Sequence, residues 1–139
     1  MKKTVCTIFI LSVLSICVYA ESIGLSQVPD EAIAFADKYF PDYYLYRATE
    51  LSGSYALIFK GGLKIYVTSN GKWTTVSGGG SEINIDYVED KVKNAVKKEF
   101  PDEKVVYIHK KRKEYKIEFK SRRKISVDFE GNITKRGRD

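Results

Sequence analysis

Sliding the chain against itself by sixty positions brings two stretches into register without a gap, and this internal correspondence constrains the fold more than any other feature. Val28/Val88, Asp30/Asp90, Lys38/Lys98, Phe40/Phe100, Pro41/Pro101 and Asp42/Asp102 match first. Tyr55/Tyr115, Phe59/Phe119, Lys60/Lys120, Lys64/Lys124, Ile65/Ile125, Val67/Val127, Gly71/Gly131 and Thr74/Thr134 follow. These are 14 identities over positions 28–74, where average composition gives about three by chance. The correspondence marks out residues 28–76 as a first unit, 77–81 as a Gly/Ser linker and 82–139 as a second unit. A unit this small without disulfides is marginal alone and leaves a sheet edge to pair. The two are therefore expected to fold together, as one antiparallel sheet or a curved pair.

Each unit opens with a helix-period stretch, 29–40 and 87–100, in which Ala32, Phe35, Ala36 and Phe40 answer to Val92, Ala95, Val96 and Phe100 on one face. Asp30 and Glu31, or Glu89 and Asp90, suit the positive helix start. The Phe-Pro-Asp triplet ends each helix, because a residue before proline avoids the α region. Strand-like segments follow at 43–48, 55–60 and 63–67, and again at 104–109, 115–120 and 124–129. Asn70-Gly71 signals a two-residue hairpin and hence a short strand at 72–76, with Glu130-Gly131 in the corresponding place. The expected fold class is α+β: a tandem repeat of a helix followed by a three- to four-stranded antiparallel meander, with the helices on one sheet face.

At the N-terminus Lys2 and Lys3 precede an apolar stretch over 5–18 that ends in Val18-Tyr19-Ala20, the pattern of a cleavable signal peptide spanning residues 1–20. The stretch is shorter than the ~20 residues a spanning helix needs. The product is a periplasmic or secreted protein. Leu14-Ser15-Ile16-Cys17 offers an alternative, a lipoprotein anchored to a membrane through Cys17. Cys6 and Cys17 both lie within this segment, so a chain cut after Ala20 has no disulfide and depends on packing.

Together the signal peptide, a helix ending in Tyr39-Phe40-Pro41-Asp42, the strands and Asn70-Gly71-Lys72-Trp73, all but the first repeated, resemble the PepSY-like family of exported bacterial proteins. That family is described as beta-lactamase-inhibitor-like. The resemblance spans about 28–134 and implies a tandem α+β fold with a sheet face open for protein contact. The second unit departs from it in having Ile133 where the first has Trp73.

The side chains point away from catalysis. The only histidine, His109, sits beside a run of cations at 110–113, and no serine has a base at a motif spacing. Gly78, Gly79 and Gly80 do not open a phosphate-cradling helix, and Asp86, Glu89 and Asp90 lack the alternating spacing of a calcium loop. The reading is a non-enzyme with no cofactor and no metal site. Strand alternation assigns Tyr55, Leu57, Phe59, Leu63, Ile65 and Val67 to the core, with Tyr115, Ile117, Phe119, Ile125 and Val127. The other face then carries Tyr43, Leu45, Arg47, Ile58 and Tyr66, and Val105, Tyr107 and His109 in the second unit. Tyrosine and arginine are enriched at interface centres. Tyr43, Leu45, Arg47, Ile58, Tyr66 and Tyr107 are therefore the candidate contacts for an unknown protein or peptide of the cell envelope. Trp73 is expected in the core or turn.

Charge divides unevenly. Residues 21–80 carry five Lys or Arg against six Asp or Glu, and residues 81–139 carry seventeen against twelve. The basic clusters at 110–113, 122–124 and 135–138 make electrostatic association with an anionic envelope surface or acidic partner the alternative function. Export argues against nucleic acid.

Overall fold

The computed structural model describes residues 21–138. The export segment 1–20, with Cys6, Cys17 and the cleavage position at Ala20, lies outside the described residues. In chain order the elements are β1 (Glu21–Ile23), α1 (Asp30–Tyr39), β2 (Leu45–Leu51), β3 (Ser54–Phe59), β4 (Lys64–Thr68), β5 (Trp73–Ser77), α2 (Asp90–Glu99), β6 (Val105–Lys110), β7 (Glu114–Phe119), β8 (Arg123–Asp128) and β9 (Ile133–Arg138).

This overturns the expected fold class. The protein is not an α+β tandem of helix-plus-meander units with helices on one sheet face. The described residues are predominantly β: one nine-stranded antiparallel sheet whose strand order follows the chain from β1 to β9, accompanied by two ten-residue helices. The reason lies in the backbone. Pairing does not stop at the unit boundary, because β5 would otherwise leave a row of unpaired N–H and C=O groups that β6 satisfies. Thr75↔His109, Val76↔Ile108 and Ser77↔Tyr107 form that ladder. The composition of 78–81 reads as flexible, yet the Gly78 N–H donates to the Val106 carbonyl at 2.8 Å and the Ile83 N–H to the Val105 carbonyl at 2.8 Å. At the other edge β1, which no sequence signal announced, pairs with β2 through Ser22↔Thr49 and Ile23↔Ala48.

The helices form and stop for local reasons. Asp30 and Glu31 occupy the first turn of α1, and Phe40 leaves the helical region at φ −134°, ψ 49° as the residue before Pro41. Phe100 does the same before Pro101, at φ −136°, ψ 57°. The second helix begins at Asp90, three residues later than its periodicity suggested. Ala32, Ala36, Val92 and Val96 are the buried positions of the two helices. They enter one cluster with Leu57, Ile65, Val76, Ile108, Ile117 and Ile125, a continuous cross-strand row from β3 to β8.

Two turns close onto the helix starts. Gly71 has φ +84°, and a Cβ there would lie 2.9 Å from Pro29 Cβ and 3.0 Å from the Ala32 nitrogen. Gly131 has φ +87°, with the Lys91 carbonyl oxygen 2.6 Å from a built Cβ. Only glycine meets both demands, a left-handed backbone and an unobstructed approach. Trp73 packs against the core, its ring stacked on Phe35 at 6.0 Å and on Tyr115 at 5.9 Å, with Tyr87 edge-on at 4.8 Å. This aromatic group links residues on either side of the boundary at 77–81.

Candidate functional site

Antiparallel partners share a sheet face, so the buried row just described fixes which side chains point the other way. One outward row runs Arg47↔Ile58↔Lys64↔Ser77↔Tyr107↔Glu118↔Lys124. The next runs Ser22↔Thr49↔Ala56↔Tyr66↔Thr75↔His109↔Lys116↔Ser126↔Lys135. Thr49, Ala56, Thr75 and Ser126 are buried even here, because their short side chains lie in the shadow of longer neighbours. The longer ones stand up as walls. Between them is a cleft of about 210 Å³, floored by Thr49 and Ala56 and bounded by Arg47, Ile58, Lys64 and Tyr66, with Ser22 and Leu51 at its ends.

Four of the six candidate contacts gather on this face: Arg47, Ile58, Tyr66 and Tyr107. Tyr107 pairs with Glu118 across the β6–β7 ladder, and burial first, then the charges of Glu118 and Tyr66, raises its phenol above the ordinary range. Tyr43 and Leu45 lie elsewhere, packed against the core, with Tyr43 edge-on to Phe40 at 5.9 Å. The physical cause is a register shift in β2. Leu45 pairs with Phe59 and Arg47 with Ile58, so the chain gains a residue between them and the alternation slips. Val105 moves to the core side for the same reason, through the shift between Val105 and Tyr107. The bulge leaves Tyr46 exposed, and Tyr44 before the strand is exposed as well.

Simple alternation also passed over Lys64, Thr49 and Ser22. Lys64 follows from the period-two pattern of Ile65 and Val67 and could have been read; Ser22 depends on β1 and could not. His109 is half-buried rather than loosely exposed, and its Nδ1 shares a 2.7 Å hydrogen bond with Thr75 Oγ1 across the β5–β6 ladder. Among the described residues no group of three or more His, Cys, Asp or Glu side chains is placed to hold a metal ion. No helix among them is long and apolar enough to cross a membrane.

Chemically the face offers an apolar centre of Ile58 and Ala56, phenols at Tyr66 and Tyr107, and cations at Arg47 and Lys64. These are groups suited to contact a partner, and the same face carries the buried Thr75 hydroxyl hydrogen-bonded to His109. Further along, Lys116, Lys124 and Lys135 surround Ser126 in a second, more basic cleft, where Lys124 pairs with Glu118 at 3.4 Å.

A family model described as "Putative beta-lactamase-inhibitor-like, PepSY-like" matches residues 53–135. A crystal structure from Bacteroides vulgatus, described as a "putative periplasmic protein", is 26% identical with a TM-score of 0.77, covering 84% of this chain and 95% of that one. One from Bacteroides thetaiotaomicron, described as a "putative calcium-regulated periplasmic protein", is 23% identical with a TM-score of 0.76 over the same shares. A second Bacteroides vulgatus structure, of "unknown function", is 17% identical with a TM-score of 0.76, covering 84% of this chain and 99% of that one. No curated protein matches the chain.

Proposed function

The chain belongs to the PepSY-like, beta-lactamase-inhibitor-like family, and from that premise we propose that it is a non-catalytic periplasmic module that binds a protein or peptide through its open sheet face. The observation that carries this reading is the cleft bounded by Arg47, Ile58, Lys64 and Tyr66, with Tyr107 alongside. Aromatic and arginine side chains around an apolar centre are the composition of interface cores, and a concave floor of short side chains admits a partner's side chain. The description of the relatives as periplasmic proteins supports the compartment, in agreement with a signal peptide at 1–20.

The test is a photo-crosslinking amino acid placed at Tyr66 in the protein expressed with its own N-terminus, with Lys97 on the exposed side of α2 as the comparison position. Adducts to a periplasmic protein are expected from Tyr66 and not from Lys97. No protein adduct from Tyr66 refutes the assignment. The alternative is electrostatic association of the basic second unit with an anionic envelope surface or acidic partner. It draws on the second cleft, where Lys116, Lys124 and Lys135 converge. Binding of that kind is lost at moderate salt, whereas an apolar sheet-face interface loses little.

A further inference from the structure

We infer that the partner segment seated on the open face is acidic and extended, with an apolar side chain over Ile58 and carboxylates against Arg47 and Lys64. This rests on the binding reading above and deepens it by assigning the partner's chemistry. Ile58 pairs with Arg47 on β2 and with Lys64 on β4, so a cation stands on each side of it. Two strand spacings separate those cations, roughly 10 Å between backbones. Both side chains belong to exposed residues, and among the described residues neither takes part in an ion pair. No carboxylate faces outward from β2 to β5 on this side.

Solvated sheet faces ordinarily mix charge, and opposite charges directly across a ladder are favourable. The same face does so on β7 and β8, where Glu118 answers Lys124. At Arg47 and Lys64 nothing within the described chain answers, and the cations flank the apolar Ile58 between them. In an extended segment with acidic residues two positions either side of an apolar one, all three side chains lie on one side and the acidic positions are about 14 Å apart. The long Arg47 and Lys64 side chains meet that span by splaying outward from backbones roughly 10 Å apart. A protein segment fits better than a lipid surface. Arg47 and Lys64 flank a concave floor of Thr49 and Ala56 rather than a flat surface, and a narrow extended segment enters such a cleft where a continuous lipid plane does not.

The experiment titrates the isotopically labelled protein with three five-residue peptides, each a central leucine flanked by two glutamates, two glutamines or two lysines on each side, and follows backbone amide signals by NMR. The glutamate peptide is expected to shift the signals of Arg47, Ile58, Lys64 and Tyr66, and to bind about fivefold more tightly than the glutamine peptide. That advantage is expected to vanish in Arg47→Gln/Lys64→Gln, which leaves the apolar cleft in place. Equal affinity for glutamate and glutamine peptides, absence of binding to millimolar peptide, or shifts confined to β8 and β9 each overturn the inference. So does sedimentation of the protein with phosphatidylglycerol vesicles that is lost in the double variant, which would assign the two cations to lipid. Failure here with persistent crosslinks from Tyr66 removes the acidic partner and leaves the binding face standing. Loss of both removes the binding face itself.

Discussion

Replacing Tyr87 by phenylalanine is expected to stabilise the protein, while the same change at Tyr115, in the same aromatic group, is expected to destabilise it. Tyr87 packs against Phe35 at 5.2 Å, Tyr39 at 5.5 Å, Phe40 at 5.8 Å and Trp73 at 4.8 Å. Its hydroxyl is buried and, among the described residues, has no hydrogen-bond partner. A hydroxyl taken from water without a compensating bond costs about 1–3 kcal/mol, and phenylalanine keeps every ring contact. The Tyr115 hydroxyl instead donates to Glu89 Oε2 at 2.8 Å, and losing that bond to an exposed carboxylate costs about 1 kcal/mol. In a domain of this size each kcal/mol moves the melting temperature by roughly 4 °C. Thermal and urea unfolding followed by circular dichroism should therefore separate the two variants by roughly 8 °C or more, with unchanged urea slopes. The pH dependence gives a second readout. Burial first, then the charge of Asp86, raises the Tyr87 phenol far above the ordinary tyrosine range. The folded state then keeps a proton that the unfolded chain releases above about pH 10, so stability held below that pH falls above it. For one such group the fall is at most about 1.4 kcal/mol per pH unit, and Tyr87→Phe should flatten it. A Tyr87→Phe protein that melts below the unsubstituted one would refute the reasoning.

Three further outcomes test the packing. Phe59→Ala should cost about 3–5 kcal/mol because that ring is buried in the core, whereas Tyr66→Ala on the open face should cost less than half as much; chemical denaturation measures both. Gly131→Ala should destabilise more than Gly53→Ala. Both have positive φ, a strain of about 1 kcal/mol or more, but a Cβ at Gly131 meets the Lys91 carbonyl while one at Gly53 meets nothing within 4 Å. Deleting residues 78–139 should leave a fragment with no cooperative melting transition, because it exposes the β5 edge and strips Trp73 of Tyr87 and Tyr115.

Local features of the chain were legible without a structure. The Phe-Pro-Asp triplets stop both helices at Phe40 and Phe100, Asn70-Gly71 makes a turn, and period-two apolar spacing assigns Leu57, Phe59, Ile65 and Val67, with Ile117, Phe119, Ile125 and Val127, to the core. Each is decided within a few residues by backbone sterics or by the pleat, so sequence suffices. Arg47, Ile58, Tyr66 and Tyr107 were assigned to the open face by the same alternation and lie there. Tyr43 and Leu45 were misplaced because alternation in β2 breaks at a bulge, and where a strand gains a residue depends on its partner's register. The architecture was misjudged for a related reason. Correspondence at sixty positions suggested helix-plus-meander units, whereas the described residues form one mostly β architecture around a sheet of nine strands. Whether the two units join as one sheet or as a curved pair, and whether Glu21–Ile23 adds an edge strand, are settled by which free backbone groups meet in space, and those groups are the same in every residue.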